Sequence, residues 1–436
     1  MPGFYKLPLA ERRQKLAAEI GIETAELIAP LLDEETANHM VENVVGVYGL
    51  PLGIALNFQV NGTDYLVPMC VEEPSVIAAA SNAAKMIREG GGFTAEADEP
   101  IMIAQVQLDA VQDTLAATQA IDAHAAEIIR LADAAYPSLI ARGGGCKGLE
   151  VRTLQRSTAH EPGMLCVHLY VDVRDAMGAN LVNTIAEAVS MRLGELAAAD
   201  VGLRILSNLS DRRCVRVTCR VPARCLATEA HSGEVVRDGI VAASRFAELD
   251  PYRAATHNKG IMNGVDAVVI ATGNDWRGVE AGAHAFAADK GEAGGYGPLA
   301  TWRVAADGSG DLIGRIELPM AVGTVGGTLR VHPGARLALK ILGVERAGDL
   351  GSIMACAGLA SNMAALRALA SEGIQKGHMS LHARSLALHV GATGELVDRV
   401  AEELSRLGDV RAEVAQQILE RLRGRNGHSR NVGGAS

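Results

Sequence analysis

The chain runs to 436 residues, a length that suits two or three domains and excludes one small module. Hydrophobic residues make up 48% and aromatics only 3%, so the core is aliphatic and disorder is excluded. Lys and Arg number 41 against 51 Asp and Glu, a net charge of -10, the wrong sign for a protein that grips nucleic-acid backbone.

The N-terminus meets Glu11-Arg12-Arg13 before any apolar stretch of export length, so a cytoplasmic location with no membrane partner is expected. Residues 10–32 read as an amphipathic surface helix. The uncharged run 43–63 carries Gly46, Gly49, Pro51 and Gly53, which would break a spanning helix; a buried strand-and-turn segment is predicted instead. Residues 66–71 read as a strand entering Glu72-Glu73-Pro74-Ser75. A helix over 76–87 follows, with Pro74 where a missing N–H costs nothing.

After Gly90-Gly91-Gly92 the composition shifts. Strand 102–108, helix 116–134, strands 149–154 and 165–173, helix 181–196 and strand 213–221 follow in order. Two helices among several strands predict a small α+β unit whose sheet is not all parallel. Ala/Gly-rich helices resume after about residue 229, so the small unit is inserted in a larger, discontinuous helical one. The segments 384–390 and 394–423 predict a terminal helical appendage. Seven cysteines without any Cys-x-x-Cys pair argue against a disulfide framework or zinc ribbon.

Five constellations could carry chemistry. Asp175-Ala176-Met177-Gly178-Ala179-Asn180 lies between a strand and a helix, where backbone amides and the positive end of a helix dipole suit a pyrophosphate; a purely structural turn is the alternative. No Gly-x-Gly-x-x-Gly exists, which removes a Rossmann fingerprint. Lys259, between Asn258 and Gly260, enters an apolar segment that ends at Asp275. The 16 steps between Lys259 and Asp275 span about 24 Å if helical. Either the chain bends back at Gly273, a second subunit supplies the aspartate, or the two are an unrelated surface pair. Glu72 and Glu73 could complement the next helix's dipole or deliver an acid to a strand–helix junction.

His378 and His382 have the i, i+4 spacing of a metal pair but lack a metalloprotease glutamate, and one of them could instead donate a proton. Gly323 to Thr328 is a backbone-permissive run suited to lining a ligand or a tight packing contact. Gly143-Gly144-Gly145-Cys146-Lys147-Gly148 lacks the Gly-Lys-Ser/Thr ending of a P-loop, so ATP is not indicated.

Together these pieces resemble the 3-hydroxy-3-methylglutaryl-coenzyme A reductases, specifically the soluble bacterial class II form. Glu42-Asn43-Val44-Val45-Gly46, Leu50-Pro51-Leu52-Gly53, Glu72 to Ser75, the 175–180 loop, 257–277, 323–328 and Gly377-His378-Met379 occur in the family's order across nearly the whole chain. The resemblance implies an α+β fold: a large substrate-binding and dimerisation domain (1–101 and 212–373), an inserted ferredoxin-like, non-Rossmann dinucleotide-binding domain (102–211) and a mobile C-terminal helical flap (374–436). It implies reduction of the acyl thioester to mevalonate and coenzyme A by two hydride transfers, or the reverse, in a homodimer or larger assembly with shared sites and no metal.

By the same resemblance Lys259 stabilises the carbonyl oxyanion, Asp275 tunes that lysine, Glu73 supplies a proton, and His378 protonates the coenzyme A thiolate. Ser75, Arg253, Asn208 and Asn263 match substrate contacts. Asp175, Met177, Gly178 and Asn180 match dinucleotide contacts. NADH-preferring relatives carry an acidic residue shortly before the Gly-Gly-Gly-Cys tract; here that position is Tyr136, with Asp133 nearby as a substitute. NADH is the expected cofactor and NADPH the alternative. Competing classes are a metal-dependent acyl-thioester hydrolase using His378 and His382, and a silent acyl-coenzyme A binder.

Overall fold

The computed structural model describes residues 1, 3–154, 163–288, 290–291, 295–371, 383–409 and 411–428. Its strands are β1 (Leu52–Val60), β2 (Thr63–Cys70), β3 (Phe93–Ala97), β4 (Ile101–Val111), β5 (Gly145–Leu154), β6 (Gly163–Asp172), β7 (Asp200–Leu206), β8 (Cys214–Val221), β9 (Ala300–Val304) and β10 (Leu312–Pro319). They form two sheets, one of six strands in the order β2-β1-β3-β8-β10-β9 and one of four in the order β5-β6-β4-β7.

The four-stranded sheet is antiparallel throughout. Helices run between β4 and β5 and between β6 and β7, which gives the ferredoxin-like order predicted for the inserted unit. Its inward side chains, among them Val106, Leu165, Val167 and Leu169, pack on Val182, Ile185, Val189 and Leu193 of the helix Ala179–Ala197. The buried members of this apolar core all come from the inserted segment, with Ala321 packed against them from outside it. The single helix predicted over 116–134 is two helices, Thr114–Ala123 and Ala125–Ala134, because His124 leaves helical geometry (φ -104°, ψ 12°).

The larger unit was predicted to be helical, yet the six-stranded sheet lies within it. Its core joins Phe58, Met69 and Phe93 from the first part of the chain to Val217, Trp302, Ile316 and Met354 from the last. The helix Ala347–Ala370 is long and apolar enough to cross a membrane, but 67% of that stretch is buried, and here it is the central helix of the core. The helix Pro251–Ala271, hereafter the lysine helix, packs against it.

Helices Glu395–Leu407 and Ala412–His428 close a separate small core with Ala383 and Ala387. The prediction of a buried segment over 43–63 fails in its first half. Residues 44–51 form no regular element, Val45 and Tyr48 (91%) are exposed, and β1 starts only at Leu52. Burial of that apolar run is not achieved within one chain.

Candidate active site

β2 ends at Cys70, and Val71-Glu72-Glu73-Pro74 carry the chain to Ser75, the residue before the helix Val76–Arg88. Ser75 sits at φ 78°, ψ -25°, a left-handed conformation that L side chains adopt at a cost and that concentrates at functional sites. This sharp entry turns Glu73 toward the lysine helix. Glu73 Oε2 accepts from Lys259 Nζ at 2.9 Å and from Asn263 Nδ2 at 3.3 Å, across 186 and 190 residues of sequence. From Lys259 onward the incompletely buried positions of this helix are Lys259, Gly260, Asn263, Asp266 and Ile270, close to one stripe at helical spacing. The stripe presents an ammonium, an amide and a carboxyl together.

Arg253 lies in the first turn of the same helix, its backbone N–H bound to the capping Asp250 Oδ2 at 3.0 Å. Its guanidinium is partly buried, has no ion-pair partner among the described residues, and is pushed below its ordinary pKa by burial. A carboxylate ligand would relieve that state. His257, one turn on, is 1% exposed, and its Nε2 faces Ala300 O at 3.1 Å. Burial, with the Arg253 charge second, pushes its pKa down to about 4, so the imidazole is neutral.

The other predicted residues gather at the far end. The lysine helix continues unbroken to Ala271, about 18 Å of rise beyond Lys259. Thr272 and Gly273 then turn the chain, and Asp275 caps the helix Trp276–Ala287, accepting Gly278 N–H at 3.1 Å through Oδ1. A methyl group on Gly278 would stand 2.9 Å from Asp275 Oδ2 and 3.2 Å from Asn208 Oδ1, so these two groups share one small space. Among the described residues, no hydrogen bond or ion pair joins Asp275 to Lys259 within one chain.

Asp275's turn is tied to the 175–180 loop. Asn274 Oδ1 accepts Gly323 N–H at 2.8 Å, and Thr324 N–H donates to Asp175 O at 2.9 Å. Val325 bridges to Ala176, and Asp175 Oδ1 caps Ala347 N–H at 2.9 Å. Gly178 (φ 101°) precedes the helix Ala179–Ala197, which has no side-chain cap and no acid in its first turn. Those open amides suit an anionic phosphate. Asp133 Oδ1 accepts Cys146 N–H at 2.8 Å and so holds the start of β5 beside the glycine tract.

Sequence reasoning missed Arg213. It is 5% exposed and donates to Ala176 O (3.2 Å), Met177 O (3.3 Å) and Val322 O (2.5 Å), binding the loop to the chain at Val322. Burial pushes it down to about 10 against the opposing pull of Asp175 and Asp172. Its partners are backbone carbonyls, which leave no mark in the sequence. His378 and His382 lie outside the described residues. Among the described residues no group of three or more His, Cys, Asp or Glu is placed to hold a metal.

The hydroxymethylglutaryl-coenzyme A reductase family profile matches residues 8–383. The 3-hydroxy-3-methylglutaryl-coenzyme A reductase of Archaeoglobus fulgidus is 50% identical over 426 residues, covering 97% of this chain and 94% of that one. A solved reductase structure from Streptococcus pneumoniae superposes with a TM-score of 0.80 at 41% identity, over 97% of this chain and 99% of that one. A second from the same organism, described as class II and bound to NADPH in open conformations, gives 0.80 at 42% identity, over 96% and 100%.

Proposed function

Because the chain belongs to the hydroxymethylglutaryl-coenzyme A reductase family, in its class II form, we propose that it interconverts 3-hydroxy-3-methylglutaryl-coenzyme A with mevalonate and coenzyme A. The observation that carries this reading is the Lys259–Glu73–Asn263 cluster, which brings an ammonium and a carboxylate together from distant parts of the chain. Neither thioester hydrolysis nor passive acyl-coenzyme A binding accounts for that cluster.

Lys259 Nζ is the oxyanion donor, placed where negative charge develops on the substrate carbonyl. Asn263 holds Glu73 in reach, and the pair, 2.9 Å apart, is placed to protonate the alkoxide of the second reduction. Arg253 grips the substrate's free carboxylate, and Ser75 with Asn208 bind its polar groups. His378 protonates the departing thiolate and keeps it from re-attacking. Asp175, Met177, Gly178 and Asn180 hold a nicotinamide dinucleotide, whose phosphates the uncapped first turn after Gly178 fits. When bound, that dinucleotide supplies hydride to the thioester carbon and then to the aldehyde carbon, or accepts it in reverse.

NADH is proposed, with NADPH as the alternative. Asp133 already directs Oδ1 to Cys146 N–H, which leaves Oδ2 as the acceptor for a ribose hydroxyl. The ratio of kcat/KM for the two cofactors in wild type and Asp133→Ala decides whether Asp133 takes part; an unchanged ratio removes it.

The active enzyme is proposed to be a homodimer or larger assembly. One chain presents the lysine cluster near the middle of the lysine helix and the Asp275–dinucleotide cluster beyond its C-terminal end, which supports pairing Lys259 of one copy with Asp275 of another. The exposed apolar segment with Val45, Val47 and Tyr48 supports burial against a second copy. Separate apolar cores support the division into 1–101 with 212–373, 102–211, and 374–436 as a flap; a cytoplasmic location and a reaction without metal are proposed alongside it. The test is absorbance of the reduced nicotinamide on mixing the protein with mevalonate, coenzyme A and each oxidised cofactor. No signal with either cofactor sinks the reading.

A further inference from the structure

Asp266 follows Asn263 by one turn on the open stripe of the lysine helix, and the chemistry described above does not use it. Its Oδ1 is buried without a hydrogen-bond partner, and its carboxyl lies against that of Glu280 on the helix Trp276–Ala287. Two ionised carboxylates have only acceptors to offer each other, so the contact requires a proton on one of them. The remaining contacts form a string. Glu280 Oε2 meets His284 Nε2 at 2.7 Å, His284 Nδ1 meets Tyr296 Oη at 2.7 Å, and Asn258 Nδ2 donates to Tyr296 Oη at 3.0 Å. The string leaves the lysine helix at Asp266 and rejoins it at Asn258, about 12 Å away along the axis. It therefore fixes the second helix against the first over two turns, and that second helix begins at Asp275.

We propose that Asp266 and Glu280 share one proton between these helices and that this hydrogen bond is the positioning device that sets Asp275, five residues before Glu280, in the assembled site. The proposal rests on the reductase reading above for its consequence, but not for the shared proton. Asp266 acts through Asp275 and touches no substrate in this scheme. A displaced Asp275 weakens an interaction made as charge develops on the oxyanion, so kcat falls while KM holds.

The test uses the full-length enzyme and two readouts. Difference infrared spectroscopy at neutral pH is expected to show a carboxylic-acid C=O band in wild type that is lost in Asp266→Asn. Steady-state mevalonate oxidation is expected to show kcat for Asp266→Ala reduced roughly 10- to 100-fold with the mevalonate KM within about twofold. Asp266→Asn, whose amide still donates to the Glu280 carboxylate, is expected to keep kcat within about twofold of wild type.

Absence of the acid band from wild type overturns the shared proton. A band with full kcat in Asp266→Ala, or equal losses in the Ala and Asn variants, overturns the positioning role. A wild type without reductase activity overturns the functional reading instead, and the infrared result still decides the proton.

Discussion

Lys259→Ala separates the catalytic role proposed for this lysine from stability, because the two are expected to differ widely in size. The Lys259 and Glu73 side chains are 62% and 36% exposed and meet at 2.9 Å. At that distance in water the attraction is about 1.4 kcal/mol before ordering of the long side chains is subtracted. Exposed pairs of this kind leave a net of about 0.2–1 kcal/mol. The variant is therefore expected to unfold in urea within about 1 kcal/mol of wild type. A preorganised donor at a developing oxyanion is worth about 2.7–4 kcal/mol in a water-excluded site, a 100- to 1,000-fold effect on kcat. Unfolding curves and mevalonate oxidation at saturating substrates, measured on the same preparation, give both numbers. Activity within a few-fold of wild type would remove Lys259 as the electrophile, and a large loss of stability would mean that the pair is structural.

Further outcomes follow from the same geometry. Mixing Lys259→Ala and Asp275→Ala subunits after dissociation should restore about a quarter of wild-type activity in a two-fold dimer, since half the dimers are mixed and each mixed dimer holds one intact site out of two; no recovery over either parent would show that both groups serve within one chain. In Gly323→Ala the new methyl would stand 2.4 Å from Met177 N, 2.8 Å from Ala176 C and 2.9 Å from Asp175 O, all backbone. The 175–178 loop must then retreat by about 1 Å at a cost of about 1–3 kcal/mol, seen as weaker dinucleotide binding by fluorescence titration; unchanged affinity would separate this loop from the cofactor. His257 is neutral in the fold down to about pH 4, whereas in the unfolded chain it takes up a proton near pH 6.5. Acid therefore favours unfolding across that window, by about 3 kcal/mol at most, with stability rising again toward pH 7. His257→Gln should flatten this slope in urea unfolding at pH 7 and pH 4.5, and an unchanged slope would place the titration elsewhere.

What could be read from the sequence depended on the range of the interaction. The helix Val76–Arg88 and strand β6 follow from local periodicity, and both were located to within two residues. β10 escaped although Leu312, Ile316 and Leu318 alternate with outward Arg315 and Glu317. The inward position between them is Gly314, where a methyl would stand 2.4 Å from the Trp302 ring, so the large partner comes from another strand and the glycine interrupts the local apolar alternation. β3 is only five residues long after three glycines and pairs with β8, which lies more than a hundred residues later. No local pattern announces such a partner. At the site, the Glu73–Lys259 contact came from family resemblance alone, and Arg213 could not be found because carbonyls carry no sequence signature.

One long-range feature did follow from arithmetic. A rise of 1.5 Å per residue over an unbroken helix keeps Lys259 and Asp275 apart in a single chain, and the structure extends that helix to Ala271. The alternative of a sharp return at Gly273 exists, since Gly273 is left-handed (φ 65°), but the returning helix runs back with Glu280 beside Asp266 and leaves Asp275 at the far end. The turn therefore aims Asp275 outward, next to Asn208 and the loop held by Arg213. On the proposed reading, in which Asp275 tunes Lys259, an acid held about 18 Å or more beyond that lysine along the same helix has to be met by the lysine of another copy of the chain.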